Sequence, residues 1–229
     1  MVAMLEKCPT PQHPPMTTPH PADILSGRGA VMSQQHPTAD ALLRANIQAS
    51  AATLHALTAL AEPLGRAAQL VEQCLLGGHK LITCGNGGSA SDASHIATEF
   101  VARFHTDRRP FPALSLTDSG STMTAISNDY SFEQVFARQV RAFARHGDVL
   151  LAITTSGKSK NILLALQAAK EIGVSSIAFL GKGGGFTGGV ATVDLLVPSD
   201  VTARVQESHL LLYHCLCELV DAELIKQGA

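Results

Sequence analysis

The stretch that most limits what this chain can become is residues 81 to 104, LITCGNGGSASDASHIATEFVARF. An apolar run from Leu81 to Cys84 passes through Gly85-Asn86-Gly87-Gly88-Ser89 into a helical pattern carrying His95 and Glu99. Glycine reaches backbone angles closed to other residues, so the chain can turn sharply out of a strand there. The helix start that follows offers free N–H groups and a positive dipole end, which suits a phosphate or carboxylate. His95 and Glu99 stand one turn apart on one helical face and can aim at one point. Beside such a turn an imidazole and a carboxylate can hold a metal or move a proton. On a solvent-facing helix the same pair is an ordinary surface feature, and spacing alone leaves both readings open.

The rest of the chain repeats the strand-then-helix pattern. Strands are expected at 80–84, 112–116, 149–153, 175–180 and 193–197. Val149 to Ile153 is a continuous apolar run of the kind found in central parallel strands. Helices are expected over 39–60, 63–76, 121–127 (broken near Asn128-Asp129-Tyr130), 132–144, 161–172 and 202–225. In the fourth of these, Phe132, Val135, Phe136, Val140 and Phe143 fall on roughly one side. Alternating strands and helices predict one α/β domain, doubly wound, with a parallel sheet covered on both faces. Its ligands belong beyond the carboxyl ends of the strands. Before this domain, residues 1 to 36 hold Pro9, Pro11, Pro14, Pro15, Pro19 and Pro21 with little apolar periodicity, the composition of a flexible tail. Met32 offers an alternative start, which would make that tail an upstream extension.

Composition removes several functions. The formal charge is −2 and Trp is absent, so neither a basic surface nor stacking platforms for nucleic acid are expected. No apolar stretch reaches transmembrane length and the N-terminus lacks an apolar signal core. Cys8, Cys74, Cys84, Cys215 and Cys217 are odd in number and irregularly spaced, which fits a reducing compartment, the cytoplasm. Cys84, Cys215 and Cys217 read as small core residues.

A second loop, Thr154-Thr155-Ser156-Gly157-Lys158-Ser159, follows the strand at 149–153 and precedes a helix. Its hydroxyls and helix N-terminus make a phosphate cradle, though not a Walker loop, because the GxxxxGK[ST] spacing is absent. Ordinary capping by Ser159 accounts for one hydroxyl but not for Thr154, Thr155 and Ser156 together. Lys158 and Lys160 are either phosphate contacts or exposed helix-start lysines. A third polar group, Gln206, Glu207 and His209, opens the last helix, and His214 lies between Tyr213 and Cys215 in a mostly apolar stretch. A buried histidine needs a partner, either a ligand or a backbone carbonyl. His105, His146 and His209 read as surface or structural groups.

The motifs GNGGSASDASHIATEF, MTAISNDY, GDVLLAITTSGKSKNI and TARVQESHLLLYH occur in that order. Through them the chain, from about Ala39 onward, resembles the phosphoheptose isomerases of the SIS (sugar isomerase) family. The resemblance implies a single SIS domain with a five-stranded parallel sheet, flavodoxin-like. It implies conversion of sedoheptulose 7-phosphate to D-glycero-D-manno-heptose 7-phosphate for lipopolysaccharide precursors, with one zinc per active site. By the same resemblance His95, Glu99, Gln206 and His214 bind zinc, and Glu99 and His214 transfer protons. Asn86, Gly87, Gly88, Ser89, Glu99, Asn128, Asp129, Thr154, Thr155, Ser156, Ser159 and Gln206 hold the sugar phosphate. Thr154 stands where serine is commoner, and Ala203 where some members have aspartate. Gln206 and His214 are eight residues apart, about 12 Å of helical rise, so they meet one ion only through an irregular helix or through different subunits. The family's homotetramer, with active sites shared at subunit boundaries, fits the second option. A non-enzymatic SIS relative that associates with the replication initiator is the competing reading. That relative lacks the glutamate and the final histidine, and both Glu99 and His214 are present here.

Overall fold

The computed structural model describes residues 37–228, and the tail expected over residues 1–36 lies outside them. The elements run α1 (Ala39–Ala56), a 3₁₀ turn (Leu57–Leu60), α2 (Ala61–Leu76), β1 (Leu81–Gly85), α3 (Gly88–Val101), β2 (Ala113–Ser115) and α4 (Gly120–Asp129). They continue with a 3₁₀ turn (Phe132–Gln134), α5 (Val135–Phe143), β3 (Val149–Thr154), α6 (Lys160–Glu171), β4 (Ser175–Leu180), a 3₁₀ turn (Lys182–Gly184), β5 (Val193–Leu196) and α7 (Thr202–Lys226). All strands pair in parallel, in the order β2-β1-β3-β4-β5. This is the flavodoxin-like order, whose switch point falls between β1 and β3.

Side chains alternate across the sheet with the two-residue period of a strand. Leu81, Val149, Leu151, Ile153, Ile177 and Phe179 face the layer of α2, α3 and α7. Ile82, Cys84, Leu150, Ala152, Ala178 and Leu180 face α5 and α6. Burial on both faces explains why these strands are unbroken apolar runs.

The expected elements are present, with differences that have local causes. The first helix ends at Ala56 and passes through a 3₁₀ turn into α2, rather than continuing to residue 60. α4 runs on through Asn128 and Asp129, which form its last turn rather than a break. The helix expected from residue 132 begins as a 3₁₀ turn, so its apolar stripe is out of phase there. Val135, Phe136 and Val140 are buried, whereas Phe132 and Phe143 are exposed. Cys84 and Cys217 are core residues as expected, but Cys215 is only partly covered. His209, expected as surface or structural, is the latter: it is fully buried.

Candidate active site

The carboxyl ends of β1 and β3 diverge at the switch point, and the two loops read from the sequence emerge there together. After β1 the chain must fold back tightly: a methyl group on Gly85 would lie 2.1 Å from the Ser89 carbonyl oxygen. Gly87 then takes φ +57 at the N-cap of α3. Between the loops, Asn86 and Asn161 exchange a reciprocal pair of amide hydrogen bonds, each 2.9 Å. This pairing ties the glycine turn to the first turn of α6 across the switch point.

The hydroxyl loop is equally constrained. Gly157 takes φ +61, and a methyl there would come 1.9 Å from the Gly184 carbonyl oxygen of the loop after β4. Thr187 closes the same contact by donating its hydroxyl to the Gly157 carbonyl at 2.8 Å. Ser159 makes no side-chain cap on α6; its hydroxyl instead lies 3.3 Å from that of Thr154. Capping therefore does not account for Ser159. Ser156 accepts from the Lys158 backbone N–H at 3.1 Å, and the Lys158 and Lys160 side chains are exposed. Asn128 donates to Asp129 at 2.9 Å on an exposed helix end.

A second cluster lies further along α3, where it packs beside α7. The two helices run parallel, because contacts advance along both in the same direction. Gln206 meets Gly88, where an added methyl would come 2.5 Å from its amide nitrogen. His95 then meets Tyr213 and His214. One ligand atom each from His95, Glu99 and His214 lies within 4.8 Å of the others. His95 Nε2 is 2.7 Å from Glu99 Oε1, and His95 Nδ1 is 2.8 Å from the Tyr213 hydroxyl. The His95 side chain is 44% exposed and that of Glu99 16%, so the cluster opens to solvent. Burial, then the neighbouring His95, holds the His214 imidazole below its ordinary pKa, against the pull of Glu99 and Glu218. Neutral His214 can accept a proton or offer a lone pair.

Two imidazoles and a carboxylate oxygen, one imidazole steadied at its far nitrogen, form a donor set that suits zinc. His95, Glu99 and His214 are brought together in this chain. Gln206 is not among them: it lies two turns of α7 earlier, against the glycine turn. Reasoning from the sequence missed Asn161, Tyr213 and Arg108. Arg108, whose side chain is fully buried, donates to the Glu99 and Phe100 carbonyls at the end of α3 at 2.9 and 3.0 Å, and to Asp221 of α7 at 2.8 Å. Only Asn161 left a local sign, as an amide in the first turn after the hydroxyl loop.

The chain is similar to known proteins in sequence and in fold. The SIS domain family model matches residues 46–181. A phosphoheptose isomerase of Coxiella burnetii (strain RSA 331 / Henzerling II) is 49% identical over 173 residues, covering 74% of this chain and 87% of that protein. The structure of a phosphoheptose isomerase from Neisseria gonorrhoeae superposes with a TM-score of 0.76 at 41% identity, over 81% of this chain and all of that one. One from Francisella tularensis gives a TM-score of 0.78 at 37% identity, with 81% of this chain covered. The chain belongs to the SIS domain family and, within it, to the phosphoheptose isomerases.

Proposed function

We propose that this chain interconverts sedoheptulose 7-phosphate and D-glycero-D-manno-heptose 7-phosphate in the cytoplasm, as a step towards lipopolysaccharide heptose, with zinc assisting. The observation that carries this reading is the convergence of Glu99 and His214 beside His95. Moving a carbonyl between adjacent carbons requires a base for the carbon-bound proton and a carrier for the proton exchanged between the oxygens. Glu99 turns Oε1 to His95, which leaves Oε2 to take a proton from C1 and return it to C2. His214, favoured as the neutral imidazole, carries the proton between the two oxygens. His95, Glu99 and His214 would hold the zinc, which when bound supplies positive charge against the negative charge that develops on the sugar oxygens. The glycine turn and Thr154, Thr155, Ser156 and Ser159 receive the phosphate, and Gln206 and Asn86 orient the chain of hydroxyls.

Distance along α3 supports a shared assembly. His95 lies seven residues and Glu99 eleven residues beyond Gly88, about 10 and 16 Å of rise along α3. The phosphate cradle and the reacting carboxylate of one chain thus sit towards opposite ends of the helix. Exposed Leu42, Leu43, Ile47, Leu210, Leu211 and Leu219 offer apolar area for subunit packing. Both features support a homotetramer in which one subunit's cradle works with a neighbour's histidines and glutamate. The test is turnover of sedoheptulose 7-phosphate before and after chelation and zinc restoration. Glu99→Gln and His214→Ala are each expected to lose about 100-fold or more. A folded, zinc-supplied oligomer without turnover would overturn the reading and leave a binding role in its place.

A further inference from the structure

Of the side chains that touch the His95–Glu99–His214 cluster, Tyr213 has no part in the chemistry above. Its ring is fully buried and packs edge-on against both histidines, with centroids 5.3 Å from His95 and 4.7 Å from His214. Its hydroxyl reaches His95 Nδ1 at 2.8 Å, while the opposite nitrogen, Nε2, faces Glu99 at 2.7 Å. Both ring nitrogens of His95 are thereby engaged, by partners of different chemistry.

An ionised carboxylate only accepts hydrogen bonds. In the neutral ring the proton therefore sits on Nε2, towards Glu99, and Nδ1 accepts the Tyr213 O–H. An imidazole that offers Nε2 to a cation must carry its proton on Nδ1 instead. A carboxylate or backbone carbonyl at Nδ1 would suit only that second form, and an amide N–H only the first. A hydroxyl both donates and accepts, and it turns between the two roles without moving its oxygen. We infer that Tyr213 is a positioning residue for His95: its hydroxyl holds the imidazole in one orientation whichever nitrogen bears the proton, so that Nε2 alternates between Glu99 and a bound zinc without a rearrangement of α7. This inference rests on the zinc-assisted reading.

The experiment measures zinc affinity by competition with a chromophoric chelator in the full chain and in Tyr213→Phe, which keeps the ring and removes only the hydroxyl. Zinc binding is expected to weaken about ten- to hundred-fold, the usual effect of losing an outer partner of a metal-binding histidine. The melting temperature of the zinc-free variant should stay close to that of the zinc-free parent, which separates positioning from a loss of packing. Equal zinc affinity in the two proteins would overturn the role of Tyr213 and leave the zinc reading standing. A parent that binds no zinc would overturn both. Histidine-selective ¹⁵N labelling of the parent gives a second, independent readout. The His95 proton should be on Nε2 after chelation and on Nδ1 after zinc loading, and a proton that stays on one nitrogen in both would overturn the inference.

Discussion

His209 is enclosed completely, with Nε2 3.2 Å from the Leu180 carbonyl oxygen and Nδ1 without a partner among the described residues. Burial pushes its pKa down from 6.5 to about 4, only partly offset by the bond to Leu180. The unfolded chain therefore binds a proton that the folded one refuses between those two values. Stability from this group is complete above pH 6.5 and is lost as the pH falls towards 4, at about 1.4 kcal/mol per pH unit. Replacing it with leucine strands no polar group, because the Leu180 carbonyl also accepts from the Val197 N–H at 2.9 Å. Urea denaturation at pH 7 and pH 5 should show His209→Leu losing about 2 kcal/mol less than the parent over that interval. Equal losses in the two proteins would mean that His209 is protonated as readily inside the fold as outside it.

At the scale of elements, the paired helices α3 and α7 hold the site. Glu99 lies near the end of α3, and that end is gripped from outside the helix by Arg108, whose charge is met by Asp221 two turns beyond His214 on α7. A guanidinium suits the negative end of a helix dipole and supplies several donors to the free carbonyls there. Arg108→Ala leaves Asp221 buried and unpaired, and should cost about 3–5 kcal/mol in urea denaturation. Arg108→Lys should recover only part, since an ammonium cannot reproduce the planar fork. Full recovery with lysine would show that charge, not the fork, holds the helix end. This clasp also marks what was legible in advance. Asn86, the glycines, the hydroxyl loop and the His95–Glu99 pair were readable because strand, turn and helix start are contiguous in sequence. Tyr213, Arg108 and the position of Gln206 depend on how α7 lies along α3, which no local pattern encodes. Phe132 misled for a related reason: a 3₁₀ turn shifted the phase of a stripe that assumed one continuous helix, whereas Phe143 keeps the phase of Phe136 and is exposed as the last residue of α5.

Among the described residues, one apolar face of α1 is left uncovered. None of the residues of α1 is buried, and Leu42, Leu43 and Ile47 are more than half exposed, although they recur at helical spacing. Contiguous apolar area of that kind marks an interaction surface. Leu43→Glu combined with Ile47→Glu should shift the protein to smaller species in light scattering and reduce turnover with it, because the proposed sites are shared between copies. A double variant that keeps both size and activity would show that α1 is no part of the assembly. Within each copy, the hydroxyl turn after β3 is braced by bare backbone from the loop after β4, Gly157 against Gly184. The contacts that brace it lie within the domain and involve no ligand. On the proposed reading, sugar phosphates that differ only beyond the phosphate group would meet the same receptacle, and telling them apart would fall to groups outside it.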